Sequence, residues 1–471
     1  MAQRGGRGAS RDLLVVESPT AALTLRRWVG ETCDVLATGG HLIDLPARRE
    51  GIDLARGFEP AWELVRGKGK TLSDLKRAAR RAGRVLIATD PDREGEAIAW
   101  QLAAELGAEG GSPRIRRVQF GELTPEAVQR AVANPAAIDR ARAEAQLARR
   151  VVDRLIGFRL SARLSAALRP GLTAGRVQAA ALRLAEAWRP PGVDDAGPGG
   201  PAPAPPPPYL TSTLLQDAAR RLGFRPVKTM ALARRLHDGV VLDDGERVGL
   251  LTYPRTGSTW LSPEVEQAVG ALVSARHGAG ALAPGPGPGR PAPAASRGVH
   301  GALRPARLDW PPERVRAALR EAGSRDLARL YALAWDRLLG SRMTLEAWHG
   351  LVRGGDEGFS RPGSTARLDD AALLQLLQLR GVGRPSTLAG IGEGLESRGY
   401  LARSAGALQV TPLGGRVLSW LDRTIPHALD AAFTARFEDR LDEVEAGMLP
   451  WRAAVEEAWA PLERVLGRVV A

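Results

Sequence analysis

Two short apolar runs that each end in acidic residues are the feature that most limits the fold of this chain. Residues 13–16 lead directly into Glu17, and residues 84–88 lead into a second acidic segment. Apolar runs of this length are typical of buried strands, and helical patterns at 23–29 and 97–106 follow them. Strands that alternate with helices predict an α/β domain with a mainly parallel sheet.

The acidic residues after these two runs form a candidate metal site. Asp90, Asp92 and Glu94 occupy alternate positions, and on an extended segment their side chains would point to one side. Glu17 would join them, because the carboxyl ends of parallel strands share one edge of a sheet. Converging carboxylates repel one another unless a cation lies among them, and Mg²⁺ prefers such oxygen ligands. The pattern predicts a Mg²⁺ site, with a solvated acidic turn as the alternative.

The charge balance indicates an anionic partner. Lys and Arg number 66 against 53 Asp and Glu, a net charge of +13, which favours nucleic acid. The single cysteine, Cys33, excludes a disulfide framework and a Cys-built zinc ribbon. No run approaches the ~20 apolar residues that a membrane span needs, and residues 1–11 lack an apolar signal core. We therefore expect a cytoplasmic protein without membrane contact.

The chain beyond residue 124 is mainly helical and is interrupted by Pro/Gly-rich tracts. Helices are predicted within 125–188, 213–220, 226–236 and 312–339. An apolar strand is predicted at 249–253, and a hairpin at 400–410. The tracts, predicted to be linkers or loops, cover 190–208, 278–298 and 354–365.

Longer motifs add a resemblance to a known family. A strand ending in Glu, followed by a strand ending in DxDxE, is similar to the Toprim domain that topoisomerases share with primases and some nucleases. Further segments resemble type IA DNA topoisomerases and occur in the family's order. These segments are 15–19, 40–46, 88–100, 120–124, 148–157, 171–178, 251–258, 299–305, 383–387 and 433–436.

The resemblance implies a multidomain fold, α/β plus mainly helical. A Toprim domain with a Rossmann-like parallel sheet would precede helical core domains. The implied divisions are a Toprim domain at 1–135, the first segment of a helical DNA-binding domain at 136–189, a Pro-rich linker at 190–208, a tyrosine domain at 209–345, a short loop at 346–366 and the second helical segment at 367–471.

The resemblance also implies an activity and assigns its residues. Such enzymes relax negatively supercoiled DNA without ATP by cutting one strand through a 5′-phosphotyrosine bond, passing a strand and resealing the break. By motif match Tyr253 is the nucleophile. A phenol of pKa about 10 needs nearby positive charge, which Arg255 can supply. Glu17 would be the general acid, His300 would lie near the tyrosine, and the four acids would hold Mg²⁺.

The implied partner is single-stranded or negatively supercoiled DNA, bound by a nucleoid-associated monomer without a nucleotide cofactor. Arginines are expected at such a surface because phosphate contacts supply most of the affinity. A solvated surface role is the alternative for each individual arginine. The residues at the family's DNA-binding positions are His41, Arg93, Arg117, Arg150, Asp153, Thr173, Ala174, Gly175, Arg176, Val177, Gln178, Arg304, Arg384, Ser386, Thr387 and Arg398.

The chain departs from the family pattern at three residues and in one domain. Ala21 stands where the family has Lys, Gly257 where it has Asp, and Gly301 where it has Glu. The family's β-rich arch would have to fit into 190–208 and 354–365, which are too short for that sheet. These departures favour a second interpretation, a degenerate relative that binds single-stranded DNA without turnover. Toprim-type nuclease action is a third, but it leaves the tyrosine motif unused.

Overall fold

The structure is a computed structural model that describes residues 11–107, 114–190, 205–285, 301–320, 323–354, 367–426 and 428–467. The chain divides into two compact units. The first contains Met1–Val152, Arg247–Gly249 and Arg440–Glu456, and the second contains Asp153–Glu246, Leu250–Asp439 and Glu457–Ala471. No helix in the described ranges combines the length and apolar character that crossing a bilayer requires.

The first unit alternates strands and helices. Its elements are β1 (Asp12–Val16), α1 (Pro19–Val29), β2 (Cys33–Ala37), β3 (Ile43–Asp44), β4 (Ile52–Asp53), β5 (Glu59–Pro60), β6 (Glu63–Leu64), α2 (Gly69–Arg81), β7 (Val85–Ala88), α3 (Arg93–Glu105), β8 (Ile115–Arg117), α4 (Pro125–Ala133) and the start of α5 (Arg140–Ala167).

The main sheet of the first unit is parallel, with strand order β2-β1-β7-β8. Alternate residues of β1 face opposite sides. Leu14 and Val16 pack with α1 and α4, whereas Leu13 and Val15 pack with α2 and α3. Both faces are therefore covered by helices, which explains why β1 and β7 are continuous apolar runs. The α/β domain predicted from these runs is confirmed.

The second unit is mainly helical. Its elements are the remainder of α5, α6 (Arg176–Ala187), α7 (Thr211–Asp217), which continues into a π-helical turn at Ala218–Leu222, α8 (Pro226–Asp238), β9 (Val240–Val241), α9 (Pro263–His277), a 3₁₀ turn at Ala279–Ala281, α10 (Pro312–Ala318), α11 (Ser324–Gly340), α12 (Leu345–Gly354), α13 (Asp370–Leu379), α14 (Leu388–Ser397), β11 (Leu401–Ser404), β12 (Ala407–Val410) and α15 (Pro412–Thr424). The division between the units falls inside α16 (Ala431–Glu445) and α17 (Trp451–Leu466), and β10 is Arg247–Val248.

Most predicted elements of the second half are confirmed, including the hairpin, in which β11 and β12 pair antiparallel. The predicted strand at 249–253 is wrong. Only an isolated bridge between Leu251 and Pro305 forms there, because Leu250 and Leu251 donate their N–H groups to the end of α8, at Leu236 O. Most of the Pro/Gly tract 190–208 and all but one residue of 354–365 lie outside the described residues.

Candidate functional site

The acidic residues of the first unit lie at the carboxyl edge of its sheet. Val16 pairs with Ala88 in the parallel β1–β7 ladder, so the chain leaves both strands at the same edge. Glu17 follows β1 directly, and Asp90 follows β7 after one residue. The two strands therefore bring carboxylates from distant parts of the sequence to one edge of the sheet.

The segment after β7 is helical earlier than expected. Asp92 is the N-cap of α3, and its carboxylate accepts a hydrogen bond from Gly95 N at 2.9 Å. Glu94 thus belongs to the first turn of α3, and the prediction of an extended segment through 94 is wrong, because an N-cap aspartate starts a helix. A Cβ on Gly95 would lie 2.0 Å from Asp90 O, so this turn requires glycine.

A buried arginine holds this acidic turn. The Arg117 guanidinium donates to Thr89 O at 2.9 Å and Asp90 O at 2.8 Å, and it pairs with Glu96 Oε2 at 2.8 Å. Glu96 also accepts from Asp139 N at 2.8 Å. The side chains of Arg117 and Glu96 are 1% and 0% exposed. The expectation that Arg117 contacts DNA is corrected, because a phosphate cannot reach a guanidinium enclosed by carbonyls and a carboxylate.

The donor chemistry at this edge fits a hard cation. Glu17, Asp90, Asp92 and Glu94 all offer carboxylate oxygens, the ligand type that Mg²⁺ prefers. In the described parts of the chain, however, no three His, Cys, Asp or Glu side chains are grouped closely enough to hold a metal ion. The four-carboxylate Mg²⁺ site therefore stays a prediction.

His41 and Arg150 lie beside the same edge. His41 Nε2 is 3.6 Å from Glu94 Oε1, and its Nδ1 is 3.4 Å from Gln101 Oε1. Burial by itself lowers the pKa of His41, but the carboxylates of Glu94 and Asp44 outweigh it and the pKa is raised. Arg150 Nε donates to Asp44 Oδ1 at 3.0 Å. Burial raises the pKa of Asp44, and the Arg150 guanidinium more than reverses this, so the pKa is lowered.

Arg93 is paired with acids of α16. Its guanidinium donates to Asp442 and Glu445, and Arg142 Nε lies 3.3 Å from Glu445 Oε1. Burial lowers the pKa of Arg93, but these carboxylates outweigh it and the pKa is raised. A DNA phosphate would have to compete with both carboxylates for this guanidinium.

A lysine that the motifs did not single out for this edge also lies there. Lys68 Nζ donates to Thr38 O at 3.0 Å and to Gly39 O at 2.8 Å, and Gly39 N donates to Glu17 O at 2.8 Å. The ammonium is thus connected through Gly39 to Glu17, the residue that follows β1. The sequence shows basic residues at 66, 68 and 70, but their spacing does not reveal this contact.

In the second unit, Tyr253 lies in a rigidly held segment. Thr252 N donates to Arg304 O at 2.9 Å, and Arg304 N donates to Thr252 Oγ1 at 3.0 Å. On the other side, Thr211 Oγ1 donates to Pro254 O at 2.8 Å. The Tyr253 side chain is buried. The backbone on both sides of the tyrosine is therefore fixed by neighbouring segments.

The other residues predicted around the tyrosine differ in their surroundings. Arg255 is half-buried two residues beyond Tyr253. His300 lies outside the described residues. A Cβ at Gly257 would meet nothing within 4 Å, whereas one at Gly301 would lie 3.1 Å from Trp260 O.

Two arginines of the predicted DNA surface meet at one buried carboxylate in the second unit. Arg176 donates from Nε to Asp153 Oδ1 at 2.9 Å and from Nη2 to Glu438 Oε1 at 3.0 Å. Arg384 Nε is 3.4 Å from Glu438 Oε2. The side chains of Arg176 and Glu438 are 0% exposed and that of Arg384 is 27% exposed. The DNA-contact expectation for Arg176 is corrected, since its guanidinium is enclosed, and Arg384 is the arginine of this cluster that reaches solvent.

A second contact joins Thr173 to Arg398, whose Nε donates to Thr173 Oγ1 at 2.9 Å. Thr387 Oγ1 accepts from Arg384 N at 3.1 Å and thereby shapes the turn before α14. The remaining positions of the predicted DNA surface are exposed at Ser386, half-buried at Gly175, Val177, Gln178 and Arg304, and buried at Ala174.

Comparisons with known proteins identify two matching families. A family model described as the Toprim domain matches residues 12–123, and one described as DNA topoisomerase matches residues 201–349 and 357–456. DNA topoisomerase 1 of Treponema pallidum (strain Nichols) is 33% identical over 568 aligned residues, covering 98% of this chain and 76% of the relative.

The protein of the same name from Thermotoga maritima is 30% identical over 547 aligned residues, covering 97% of this chain and 85% of the relative. The structure of full-length topoisomerase I from Thermotoga maritima, in a monoclinic crystal form, matches with a TM-score of 0.82 at 29% identity. That match covers 96% of this chain and 90% of the other.

Proposed function

Since the chain belongs to the type IA DNA topoisomerase family, we propose that it breaks and rejoins single-stranded DNA through a covalent bond to Tyr253 and so relaxes negative supercoils. The enzyme class and the DNA partner follow from the family. The proposal adds the nucleophile, the strandedness of the DNA and the metal. The observation that carries it is the tyrosine held between two fixed backbone segments with Arg255 two residues beyond it.

The proposed chemistry is a reversible transesterification. The phenolic oxygen of Tyr253 attacks a backbone phosphorus, the bond from phosphorus to the 3′-oxygen breaks, and the phenolic proton passes to solvent water. Glu17 donates a proton to the leaving 3′-oxygen, and Arg255 stabilises the negative charge that builds on the phosphoryl oxygens. Rejoining is the reverse reaction. No nucleotide is hydrolysed, because the tyrosyl ester conserves the energy of the broken bond.

Mg²⁺ is part of the proposal as a bound cofactor. Glu17, Asp90, Asp92 and Glu94 would hold it with carboxylate oxygens, as the Toprim match and the donor chemistry support. When bound, it would neutralise phosphate charge during rejoining and DNA positioning. The contacts of Arg117 support this role, since its guanidinium donates to Asp90 O and so fixes the backbone there.

DNA binding is proposed at the partly exposed arginines of the predicted surface. Arg384, held by Glu438, and Arg398, held by Thr173, present guanidinium groups from defined positions. Fixed guanidinium groups lose less side-chain entropy when they bind phosphate. We further propose that the enzyme acts as a monomer on nucleoid DNA in the cytoplasm, which the elution volume in size-exclusion chromatography would check for the oligomeric state.

Trapping of the covalent adduct tests the proposal. Protein mixed with labelled single-stranded DNA and then denatured is expected to retain label, and Tyr253→Phe is expected to abolish it. Tyr331→Phe is the matched control, because the Tyr331 phenol donates to Trp310 O at 2.6 Å and burial holds its pKa well above the usual range. An adduct that persists in Tyr253→Phe would overturn the nucleophile assignment.

A second candidate function is DNA binding without turnover, which the residues at positions 21, 257 and 301 favour. Ala21 is buried in the first turn of α1 and carries no charge. The same experiment separates the two functions. Tight binding of single-stranded DNA by the wild-type protein without any adduct would establish the binder.

A further inference from the structure

A buried histidine lies against the proposed nucleophile. The ring centroids of His237 and Tyr253 are 5.5 Å apart, and the ring planes are inclined by 72°, an edge-to-face arrangement. His237 is 4% exposed and Tyr253 2%. The two rings therefore pack against each other inside the second unit, and neither the sequence motifs nor the proposed mechanism gives His237 a role.

The position of His237 is itself fixed. It lies in the last turn of α8, and its Nδ1 is 3.1 Å from Leu251 O. Because a carbonyl oxygen can only accept, Nδ1 carries the proton of this hydrogen bond and the imidazole orientation is set. Leu236 O accepts from Leu250 N at 2.7 Å and from Leu251 N at 3.2 Å. Three hydrogen bonds thus tie the end of α8 to the segment that leads into the tyrosine.

Backbone contacts alone do not orient a phenol. The hydrogen bonds around Thr252 and Pro254 fix the main chain on either side of Tyr253, but the first two torsions of the side chain are set by its own packing contacts. Edge-to-face aromatic contact restricts such rotation, because it favours a narrow range of ring distances and angles. The His237 ring supplies that contact.

We propose that His237 is a positioning residue for Tyr253, which holds the phenol in the orientation required for attack on the DNA phosphate. The inference rests on the proposed function of Tyr253 as nucleophile. His237 acts through its ring and exchanges no proton with the phenol. Loss of the ring therefore slows formation of the covalent adduct while leaving DNA affinity unchanged, because correct alignment of the reacting atoms governs the rate of the chemical step.

Three substitutions separate the ring contact from the hydrogen bond. His237→Phe keeps an aromatic ring and removes the hydrogen bond to Leu251 O. His237→Asn removes the ring and keeps an N–H donor, and His237→Ala removes both. The matched control is His277→Ala, since His277 is exposed at the end of α9 and precedes Gly278, much as His237 closely precedes Gly239.

The measurement is the single-turnover rate of adduct formation at saturating single-stranded DNA, with DNA affinity and the thermal unfolding midpoint measured for each variant. We expect His237→Ala and His237→Asn to form adduct about tenfold more slowly or worse, with wild-type affinity. We expect His237→Phe to stay within roughly threefold of the wild-type rate, and His277→Ala to equal it.

Several outcomes would overturn the inference. One is an unchanged rate in His237→Asn, and another is a rate in His237→Phe as low as in His237→Ala. A parallel loss of rate, affinity and unfolding midpoint in every variant would mean that His237 serves the fold alone. Failure of the proposed function is distinguishable from failure of this inference. If the proposed function is wrong, the wild-type protein forms no adduct or Tyr253→Phe still forms one.

Discussion

Removal of the Arg117 guanidinium is expected to destabilise the first unit severely. Arg117→Ala leaves Glu96 as a buried carboxylate without its cation, and it strips donors from the carbonyls of Thr89 and Asp90. Breaking a buried ion pair by removing one partner costs about 3–5 kcal/mol. Since a domain's total stability is only about 5–15 kcal/mol, the variant should lose a large part of it.

The assay for this prediction is urea unfolding, with the free energy extrapolated to water. Arg116→Ala is the matched control, because Arg116 is the preceding residue of β8, carries the same charge and is only half-buried. We expect a change below about 0.5 kcal/mol for Arg116→Ala. The double variant Arg117→Leu with Glu96→Leu should recover part of the loss, because it leaves no uncompensated buried charge.

A fall of less than about 1 kcal/mol in Arg117→Ala would refute the argument, since one ordinary hydrogen bond contributes that much. A double variant that loses as much as the sum of the two single variants would also refute it. Such additivity would mean that Arg117 and Glu96 do not act as a pair.

Three further predictions concern the second unit. Glu438→Gln should lower the free energy of unfolding, measured by urea unfolding, by about 3–5 kcal/mol, and it should weaken the binding of single-stranded DNA through Arg384, measured by fluorescence anisotropy. An unchanged DNA affinity would count against the role of Glu438 in holding Arg384. Gly257→Asp should keep the wild-type unfolding midpoint because its Cβ meets nothing, whereas Gly301→Glu should lower it because a backbone oxygen lies 3.1 Å away; equal midpoints would contradict this. Burial raises the pKa of Asp336 from 3.8 to about 6, so the carboxyl stabilises the fold at low pH and loses that contribution as the pH rises through 6. Asp336→Asn should remove this pH-dependent loss of about 3 kcal/mol, and an identical pH profile of stability would rule it out.

The sequence alone was sufficient for the architecture of the first unit. Residues 13–16 of β1 and 85–88 of β7 are all apolar because helices cover both faces of the sheet, and this pattern is readable without coordinates. The family motifs then predicted both the fold class and the enzyme class, and the comparisons confirm both. The helix start at Arg93 was missed because Asp92 was interpreted as a metal ligand on an extended segment and not as an N-cap.

The roles of individual arginines could not be predicted in the same way. Arg117 and Arg176 stand in the same predicted DNA-binding set as the partly exposed Arg384 and Arg398. Each of the first two is nevertheless buried against a carboxylate that is distant from it in sequence, Glu96 or Glu438. No periodicity reveals such a partner, because the pairing arises only when separate segments pack together. The contact of His237 with Tyr253 also arises only on packing, since the two residues are sixteen positions apart in the sequence.

The most direct test of the account is to locate the bond between protein and DNA. The covalent adduct with single-stranded DNA is trapped by denaturation, digested with protease and nuclease, and analysed by tandem mass spectrometry. The account predicts a nucleotide remnant attached through its 5′-phosphate to Tyr253. A remnant on any other residue, or one attached through a 3′-phosphate, would contradict it.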